Sequence, residues 1–580
     1  MKKKSPELSN DRRRFLGQAG ALTAATFAAG AVGLEPLLGS EASTARAAAV
    51  GSPMNTRRNN AYNKRHQAAV DNKNAMGVNL AHPTNTDDDI YADKRGSYSK
   101  GLPHNPDGTV VLSAYQSLVH ALANGEGNPA LFNTIPLGGS RKLTSPQAGY
   151  AYEMEGGDPQ SFVQPPAPAF ASREECAEIA ENYWMALLRD VPFSDYASHP
   201  LAAAAAADLT NFGADFKGAR NNTGHVTPRL LFRGITPGDR VGPYLSQFFY
   251  LPCFFGANEV DQRIVTASPR STAGNGGSGG GQDYMTTNAD WLHVQNGGAT
   301  APDILDPTRR YMRMGRDIAQ WVHVDVLFQG YFQAFLCLAG LGAPADSGNP
   351  YVNNPTQDGF ATFGGPHIAT LLCEVSTRAL HAVWYQKWMV HRRLRPEAFA
   401  GRIERNRTHP GRFDVHPSIN SSSVLAAVKQ HNEQINGAGQ GTHLLPMAFP
   451  EGSPTHPAYG AGHATVAGAC TTILKAWFNE ATPIGSLTQP VEPTPDGLSL
   501  NPYTGADAGQ MTVGGELNKI AYNVANGRNI AGVHWRSDSK ESIALGERIA
   551  IQILKEQRTL YNENFGGFSL TKFDGTTVTV

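Results

Sequence analysis

The sequence predicts a mainly α-helical protein in which helical bundles are joined by long ordered loops. Apolar residues recur at three- and four-residue spacing in several segments, which is the period of an amphipathic helix, whereas strand-like alternation is scarce. The chain of 580 residues contains 61 Gly and 38 Pro, a share above average that favours many ordered loops. The periodic segments are 317–341, 368–392, 462–478 and 539–557.

The bulk composition excludes several functional classes. With 41% hydrophobic and 17% charged residues, the chain is globular rather than disordered. Its 49 basic and 50 acidic residues nearly cancel, so the overall charge indicates neither a nucleic-acid partner nor an acidic membrane surface. The 5 cysteines include no CxxC pair, so a thiolate metal site or a disulfide framework is not expected.

The first 47 residues have the layout of an export signal rather than of a folded element. The run Arg12-Arg13-Arg14 is followed by a mild apolar stretch that is rich in Gly and Ala. This layout predicts a twin-arginine signal over 1–47 and export to the periplasm or the cell exterior. The alternative is a membrane anchor, which would need more Leu, Ile or Phe, so stable membrane insertion is not expected.

The remainder divides into two predicted parts. Residues 48–170 are polar and interrupted by Pro, Asn and Gly, with one apolar helical stretch at 110–123, and predict a loop-rich N-terminal arm or cover. Residues 171–580 predict a helical domain, whose first helix should span 172–189 because Ser172 and Glu175 form a capping-box pattern. Within it, the Gly-rich residues 271–282 predict a flexible surface loop without chemistry of its own.

Three stretches place unusual polar residues beside the apolar helices, and we expect functional residues on loops and helix starts. In the first stretch, Lys387 lies on a helix and Arg395 directly precedes Pro396, which we expect to end that helix. Taken alone this is a weak signal, because cations near a helix C-terminus are favoured by the helix dipole and often only face solvent.

The second stretch is a Gly-containing turn that leads directly into an apolar helix at Gly462 and His463, shortly after His456. The free N–H groups and the positive dipole end of a helix start favour an anion there. A histidine at this position titrates near neutral pH and can exchange protons with such an anion. A plain helix start is the alternative for this turn taken alone.

The third stretch contains Arg528, His534 and Asp538. Its spacing can place guanidinium and imidazole on one side of a pocket, with Asp538 accepting the Nδ1 proton of His534 and leaving Nε2 for a ligand atom. A lone histidine beside an apolar run is more often a core residue. Together, however, the stretches supply Lys387, Arg395 and Arg528, forked and point-charge donors that suit a tetrahedral oxyanion.

The order and spacing of these residues resemble the three-part signature of vanadium-dependent haloperoxidases and of the acid phosphatases in the same superfamily. The resemblance spans about residues 170–565. Within this range the sequence is similar to the longer algal and bacterial haloperoxidases. It implies the helical-bundle fold of that superfamily, a vanadate-binding catalytic domain in 171–580, and vanadate, that is vanadium(V), as the cofactor.

The resemblance also implies a role for each residue. His534 would supply the one metal–nitrogen bond, with Asp538 behind it, and His463 would be the acid–base residue. Lys387 would also act in catalysis by polarising the bound peroxide. The groups implied to hold the cofactor are Lys387, Arg395, the backbone N–H of Gly462, His463, Arg528 and His534.

Two positions bear on substrate preference. His456 matches a histidine that bromide-oxidising members place beside the site, where chloride-oxidising members can carry Phe, so it is expected to take part and bromide is the expected halide. Ala461 departs from the pattern, because many members have Ser directly before the Gly-His pair. The lost hydroxyl donor would cost about 0.5–1.5 kcal/mol for a neutral hydrogen bond.

The implied activity is vanadate-dependent oxidation of bromide, or of iodide, by hydrogen peroxide to a hypohalous acid that halogenates small organic nucleophiles. The alternative is an acid phosphatase in which His534 attacks phosphorus and His463 protonates the leaving group. An exported oxyanion-binding protein without turnover is a third interpretation. The family resemblance also implies a homo-oligomer, as a dimer or larger assembly. The acidic, Asn-rich loop at 346–358 is a candidate for a structural calcium ion, although no EF-hand spacing occurs.

Overall fold

Helices and long irregular connections dominate the computed structural model, which describes residues 54–76, 80–267 and 283–580. The predicted export signal at 1–47 and the predicted surface loop at 271–282 lie outside the described residues. The helices are α1 Met54–Met76, α2 Asp87–Ile90, α3 Leu112–Asn124, α4 Arg173–Leu187, α5 Pro200–Asn211, α6 Asn288–Gln295, α7 Gly315–Val324, α8 Gln329–Gly340, α9 Gly365–Tyr385, α10 Pro396–Thr408, α11 Val424–Asn436, α12 Gly462–Trp477, α13 Ile484–Leu487, α14 Val513–Ile530 and α15 Arg536–Arg558.

Strands contribute little to the described chain, which agrees with the predicted mainly α fold. They form four separate antiparallel two-stranded sheets, β1 with β2, β3 with β4, β5 with β6 and β7 with β8. Their bounds are β1 Phe254–Phe255, β2 Asn258–Glu259, β3 Ile264–Ala267, β4 Leu305–Arg310, β5 Val491–Pro493, β6 Leu500–Pro502, β7 Ser569–Thr571 and β8 Thr577–Thr579. Short 3₁₀ helices lie at Pro129–Thr134, Pro146–Tyr150, Pro159–Ser161, Phe193–Asp195, Gly213–Asp215, Pro228–Leu230, Gln247–Phe249, Pro417–Ser421 and Ala508–Gln510.

Helix α12 is the centre of the main core. It is buried along almost its whole length and packs against α9, α14 and α15. Two glycines allow the backbones of α12 and α15 to touch: a Cβ atom on Gly468 would lie 2.0 Å from the carbonyl oxygen of Ile543, and one on Gly546 would lie 2.0 Å from that of Thr465. This close approach fixes the position of the α12 N-terminus relative to that of α15.

Most of the predicted helices are confirmed, but one is wrong in an informative way. The segment 317–341 is not one helix, because α7 and α8 meet at 102° across a break that contains Asp325. Both helices bury an apolar face in the same core, so the apolar periodicity continues across the bend and conceals it. Among the described residues no single helix is long and apolar enough to cross a membrane, and α7 with α8 meets that criterion only as this bent pair.

The N-terminal part contains more helix than its composition suggests. The polar helix α1 was not expected from the sequence, whereas α3 corresponds to the predicted stretch at 110–123. Buried side chains between 98 and 135, among them Tyr98 and Leu118, form a separate apolar cluster that closes on Trp388. The division at residue 170 stays a prediction. The described cysteines, Cys176, Cys253, Cys337, Cys373 and Cys470, are free thiols.

The first helix of the main domain begins as predicted, but only one of the two hydrogen bonds of the capping box is formed. Ser172 caps α4 by accepting a hydrogen bond from the Glu175 backbone N–H at 3.0 Å. The Glu175 carboxylate does not return to the Ser172 N–H, which donates to the carbonyl of Ala169 instead. Glu175 accepts from Arg393, so tertiary pairing has replaced the second half of the local motif.

We expect the contact between α12 and α15 to tolerate no added methyl group. Gly468→Ala should destabilise the protein by about 1–3 kcal/mol, because the new Cβ would overlap the Ile543 carbonyl and force the helices apart. The midpoint of denaturant-induced unfolding measures this change. Gly485→Ala is the matched control, since no heavy atom lies within 4 Å of a Cβ atom built there. Equal midpoints for the two variants would contradict the packing argument.

Candidate active site

The predicted site residues converge at the N-terminal end of α12. The guanidinium of Arg395 lies between two imidazoles, with one nitrogen 3.0 Å from Nε2 of His534 and another 3.0 Å from Nδ1 of His456. The Lys387 Nζ donates to the carbonyls of Pro457, at 2.8 Å, and Ala458, at 3.2 Å, in the turn that leads to Gly462. Lys387 and His534, which are 147 positions apart in the sequence, therefore share one buried space.

Lys387 owes its direction to a local irregularity of its helix. Helix α9 ends at Tyr385 and continues as a π-helical turn, Gln386–His391, which contains Lys387. A π turn fits one extra residue into the helix and rotates the following side chains, an arrangement that is frequent at functional sites. The Lys387 side chain is fully buried, with Nζ 5.6 Å from the ring centroid of Trp384.

The segment between Lys387 and Arg395 corrects one expectation. Pro396 does not end the helix that carries Lys387; the chain leaves that helix at Arg392, which has φ +41°. Pro396 is instead the first residue of α10, with Arg395 as its N-cap residue. A proline is well tolerated there, because the first helical N–H has no intrahelical partner and the ring sets a helical φ.

Arg528 lies inside the last turn of α14, not on a loop as expected. Its Nη1 donates to the carbonyl of Val322 at 2.8 Å, and its guanidinium carbon is 5.6 Å from the ring centroid of Phe449. The Nε atom is buried and has no hydrogen-bond partner among the described residues. An unpartnered buried guanidinium N–H is costly, so this donor is available to a ligand.

The three cations are buried without a carboxylate partner. Lys387, Arg395 and Arg528 are at most 5% exposed, yet in the described part of the chain no carboxylate oxygen lies within 4 Å of their charged nitrogens. Burial lowers the pKa of Arg395 and that of Arg528 to about 10, and burial together with the charge of Arg395 lowers the pKa of Lys387 well below its usual range. By contrast, Lys100 pairs with Glu397 at 2.6 Å. The site therefore has an excess of positive charge.

His534 is held in one tautomer by a carboxylate. Asp538 Oδ2 lies 2.9 Å from Nδ1 of His534 and also accepts the backbone N–H of Trp535 at 3.1 Å. Nδ1 therefore carries the proton, and Nε2 is an acceptor that faces Arg395. Burial and the adjacent cations hold the pKa of His534 well below its ordinary value, so the imidazole is neutral and able to bind a metal ion.

His463 stands in the first turn of α12, beside free backbone donors. Its Nε2 lies 2.8 Å from Oδ1 of Asp325, whose side chain is buried in the break between α7 and α8. Burial lowers the pKa of His463, while the Asp325 carboxylate acts in the opposite direction. In the part of the chain that the structure describes, the N–H of Gly462 has no hydrogen-bond acceptor, so the helix start presents a donor and a positive dipole end.

His456 and Trp384 complete one wall of the site. The two rings are tilted at 42° with centroids 4.9 Å apart, and Trp384 also covers Gly462, where a Cβ atom would lie 3.2 Å from the indole ring. The pKa of His456 lies well below its ordinary value because of burial and the charge of Lys387. Ala461 is the N-cap residue of α12 and offers no side-chain hydrogen bond there.

Sequence reasoning missed two residues that contact the site. Asp325 lies in an unexpected helix break between Val324 and Val326, which are 71% and 56% exposed, so no pattern indicated a functional side chain. Trp384 precedes Lys387 by three residues, a spacing that places both on one helix face, and this signal was available. Among the described residues no group of three or more His, Cys, Asp or Glu side chains is arranged to hold a metal ion, and calcium binding at 346–358 stays a prediction.

The arrangement is suited to a small oxyanion that also accepts one imidazole nitrogen. The cations and the helix N-terminus supply donors for several oxygens, and His534 Nε2 supplies a single coordinating atom. His463 with Asp325 can hold a proton at the edge of this space.

Comparisons with known proteins identify the family of this chain. The model of the VCPO second helical-bundle domain matches residues 370–563, which contain all the predicted site residues. A vanadium-dependent bromoperoxidase from Corallina pilulifera is 37% identical and aligns with 86% of this chain and 92% of its own length. The chain belongs to the vanadium-dependent bromoperoxidase family. A relative of the same name from Ascophyllum nodosum is 33% identical, aligning with 88% of this chain and 90% of its own length.

A solved structure of this family has the same fold over nearly the whole chain. The homohexameric structure of the second vanadate-dependent bromoperoxidase from Ascophyllum nodosum superposes with a TM-score of 0.84 at 30% identity. It covers 94% of this chain and 94% of its own. The mainly α fold predicted from the family resemblance is thus confirmed.

We expect the unpaired cations to reduce stability in the absence of an anion. Lys387→Met should stabilise the anion-free protein by about 1 kcal/mol or more, because it removes an uncompensated charge from a buried cationic cluster. Lys100→Met should have the opposite effect, destabilising by about 3–5 kcal/mol, because it leaves the buried Glu397 carboxylate unpaired. Unfolding midpoints after exhaustive dialysis against anion-poor buffer measure both. A loss of stability in both variants would refute the interpretation that the unpaired cations destabilise the anion-free protein.

Proposed function

We propose that this chain is a vanadate-dependent haloperoxidase that uses hydrogen peroxide to oxidise bromide, and also iodide, to the hypohalous acid. The observation that carries the proposal is the cluster of buried cations around the Nε2 atom of His534, for which the described residues supply no carboxylate partner. Membership in a family whose relatives are named vanadium-dependent bromoperoxidases supports it. The hypohalous acid diffuses away and halogenates small organic nucleophiles.

The donor set fits vanadate. The oxyanion would be held by Lys387, Arg395 and Arg528 and by the Gly462 N–H, of which the Arg528 Nε and the Gly462 N–H lack acceptors among the described residues. His534 would bind the metal through Nε2, since Asp538 fixes the proton on Nδ1. When bound, vanadate supplies a Lewis-acid centre that activates hydrogen peroxide toward attack by halide.

The side chains around the cofactor manage charge and protons. Lys387, Arg395 and Arg528 offset the negative charge of the oxyanion and of the arriving reactants in a pocket with little water. Forming hypobromous acid and water from hydrogen peroxide and bromide consumes one proton. His463 is placed to hold that proton, and Asp325 stabilises its charged form at Nε2.

The proposed halide preference rests on the wall formed by His456 and Trp384. Nδ1 of His456 lies 3.0 Å from an Arg395 nitrogen and 3.2 Å from the carbonyl oxygen of Pro457, and its ring packs against Trp384, so this wall is aromatic and buried. A large, weakly hydrated anion such as bromide or iodide loses less on entering such a space than chloride does. This supports bromide as the principal substrate.

Export and assembly complete the proposal. The twin-arginine pattern in 1–47 supports translocation to the periplasm or the cell exterior, a route that carries folded proteins. The homohexameric family structure supports a homo-oligomer of this chain. Metal analysis of the purified protein would show whether the loop at 346–358 holds calcium.

A paired assay tests the activity. The purified protein with orthovanadate, hydrogen peroxide and bromide should brominate monochlorodimedone, and activity should disappear after vanadate removal and return when vanadate is restored. p-Nitrophenyl phosphate without peroxide is the parallel substrate. Phosphate release without bromination would favour the phosphatase, and vanadate binding with neither activity would favour an oxyanion-binding protein.

Substitutions of His534 and His463 should separate vanadate binding from turnover. His534→Ala removes the imidazole nitrogen that is proposed to bind the metal, so vanadate affinity should fall more than about 100-fold. His463→Ala should keep affinity within about tenfold while turnover at saturating vanadate falls about 10²- to 10⁴-fold. Equilibrium dialysis and initial rates measure the two quantities. Full turnover by the first variant, or equal losses of affinity and turnover in the second, would contradict these roles.

A further inference from the structure

Asp538 is shared between the imidazole of His534 and a buried arginine outside the cationic cluster. Its Oδ2 faces Nδ1 of His534 at 2.9 Å, and its Oδ1 accepts from Nη1 of Arg393 at 2.8 Å. A carboxylate that accepts from both sides cannot rotate without breaking one hydrogen bond. The orientation of the His534 ring therefore depends on a residue that forms no hydrogen bond with His534 itself.

Arg393 is fixed by further contacts at both terminal nitrogens of its guanidinium. Nη2 donates to Glu178 Oε2 at 2.9 Å and to Glu175, and Nη1 also donates to the hydroxyl of Ser537 at 2.8 Å. The guanidinium carbon lies 4.7 Å from the ring centroid of Trp535, and the side chain is only 3% exposed. The planar fork thus connects α4 to the first turn of α15.

We propose that Arg393 is a positioning residue for the cofactor: it locks the Asp538 carboxylate so that His534 keeps its proton on Nδ1 and presents Nε2. This inference rests on the proposed vanadate site and deepens it. Outer hydrogen-bond partners of a metal-binding histidine fix its tautomer and ring direction, and their loss costs about 10- to 100-fold in metal affinity. Arg393 acts one hydrogen bond further out, through Asp538.

The geometry requires the arginine fork rather than positive charge alone. One guanidinium reaches Asp538 and Ser537 with Nη1 while Nη2 reaches Glu178 and Glu175. A lysine ammonium is a point charge on a flexible stem and cannot span both groups at once. With Lys at this position, the nearby glutamates compete for the ammonium and Asp538 loses its fixed partner.

A neighbouring arginine supplies a matched control. Arg536 is also buried at the junction of α4 and α15, and its Nε donates to Glu181 Oε2 at 2.7 Å. No hydrogen bond or ion pair joins it to Asp538 or His534 among the described residues. A change to lysine at either position disturbs a buried ion pair with a glutamate of α4, but of the two arginines only Arg393 is connected to His534 through Asp538.

The experiment measures vanadate binding and stability together. Full-length wild-type protein, Arg393→Lys and Arg536→Lys are stripped of vanadate, and the Kd for orthovanadate is obtained by equilibrium dialysis alongside the thermal midpoint. We expect Arg393→Lys to raise Kd about 10- to 100-fold while the rate at saturating vanadate falls much less. Arg536→Lys should lower the thermal midpoint while keeping Kd within about twofold of wild type.

The outcomes separate this inference from the function on which it rests. Wild-type protein that binds no vanadate would overturn the proposed function. Wild-type binding together with equal Kd values for the two lysine variants would overturn only the role of Arg393. If Arg393→Lys does not fold, Ser537→Ala removes one anchor of the fork at a half-buried position, and we expect Kd to rise about two- to tenfold. An unchanged Kd in that variant would also overturn the proposal.

Discussion

The structure depends on keeping several positive charges together in a buried space where no carboxylate of the described residues neutralises them. Lys387, Arg395 and Arg528 repel one another, and burial adds the cost of lost hydration. Such an arrangement persists only when the surrounding packing is strong enough to hold it. The close contact of α12 with α15, made possible by Gly468 and Gly546, supplies that rigidity directly beneath the helix start that faces the cations.

Two kinds of buried arginine serve different purposes in this fold. Arg393 and Arg536 are neutralised by glutamates of α4 and join that helix to α15. Within the described part of the chain, Arg395 and Arg528 donate to carbonyl oxygens and imidazole nitrogens but to no carboxylate, so their charge remains available. The neutralised ion pairs lie outside the cluster of cations, and the cations with available charge line the site. Arg393 therefore acts on the anion site only indirectly, through Asp538, whereas the charges of Arg395 and Arg528 act on it directly.

The sequence predicted the site residues better than the bounds of the helices that carry them. The Gly-His helix start and the spacing of Arg528, His534 and Asp538 are recognisable from local sequence patterns. The family resemblance then indicated that these stretches form one site. The break at Asp325 was hidden because periodicity reports only which face is buried, and both halves bury the same face. Pro396 was misread because a proline can end one helix or begin the next, and only the positive φ of Arg392 decides between them.

The π-helical turn at Gln386–His391 has a consequence for how this segment can change over evolution. Such a turn holds one residue more than an α-helical turn, so losing any single residue there would restore regular winding and rotate the preceding or following face by about 100°. Lys387 would then no longer point at the turn before Gly462. A substitution at a position of this stretch other than Lys387 leaves the winding intact, whereas an insertion or deletion does not, so the length of the stretch is more tightly constrained than its composition.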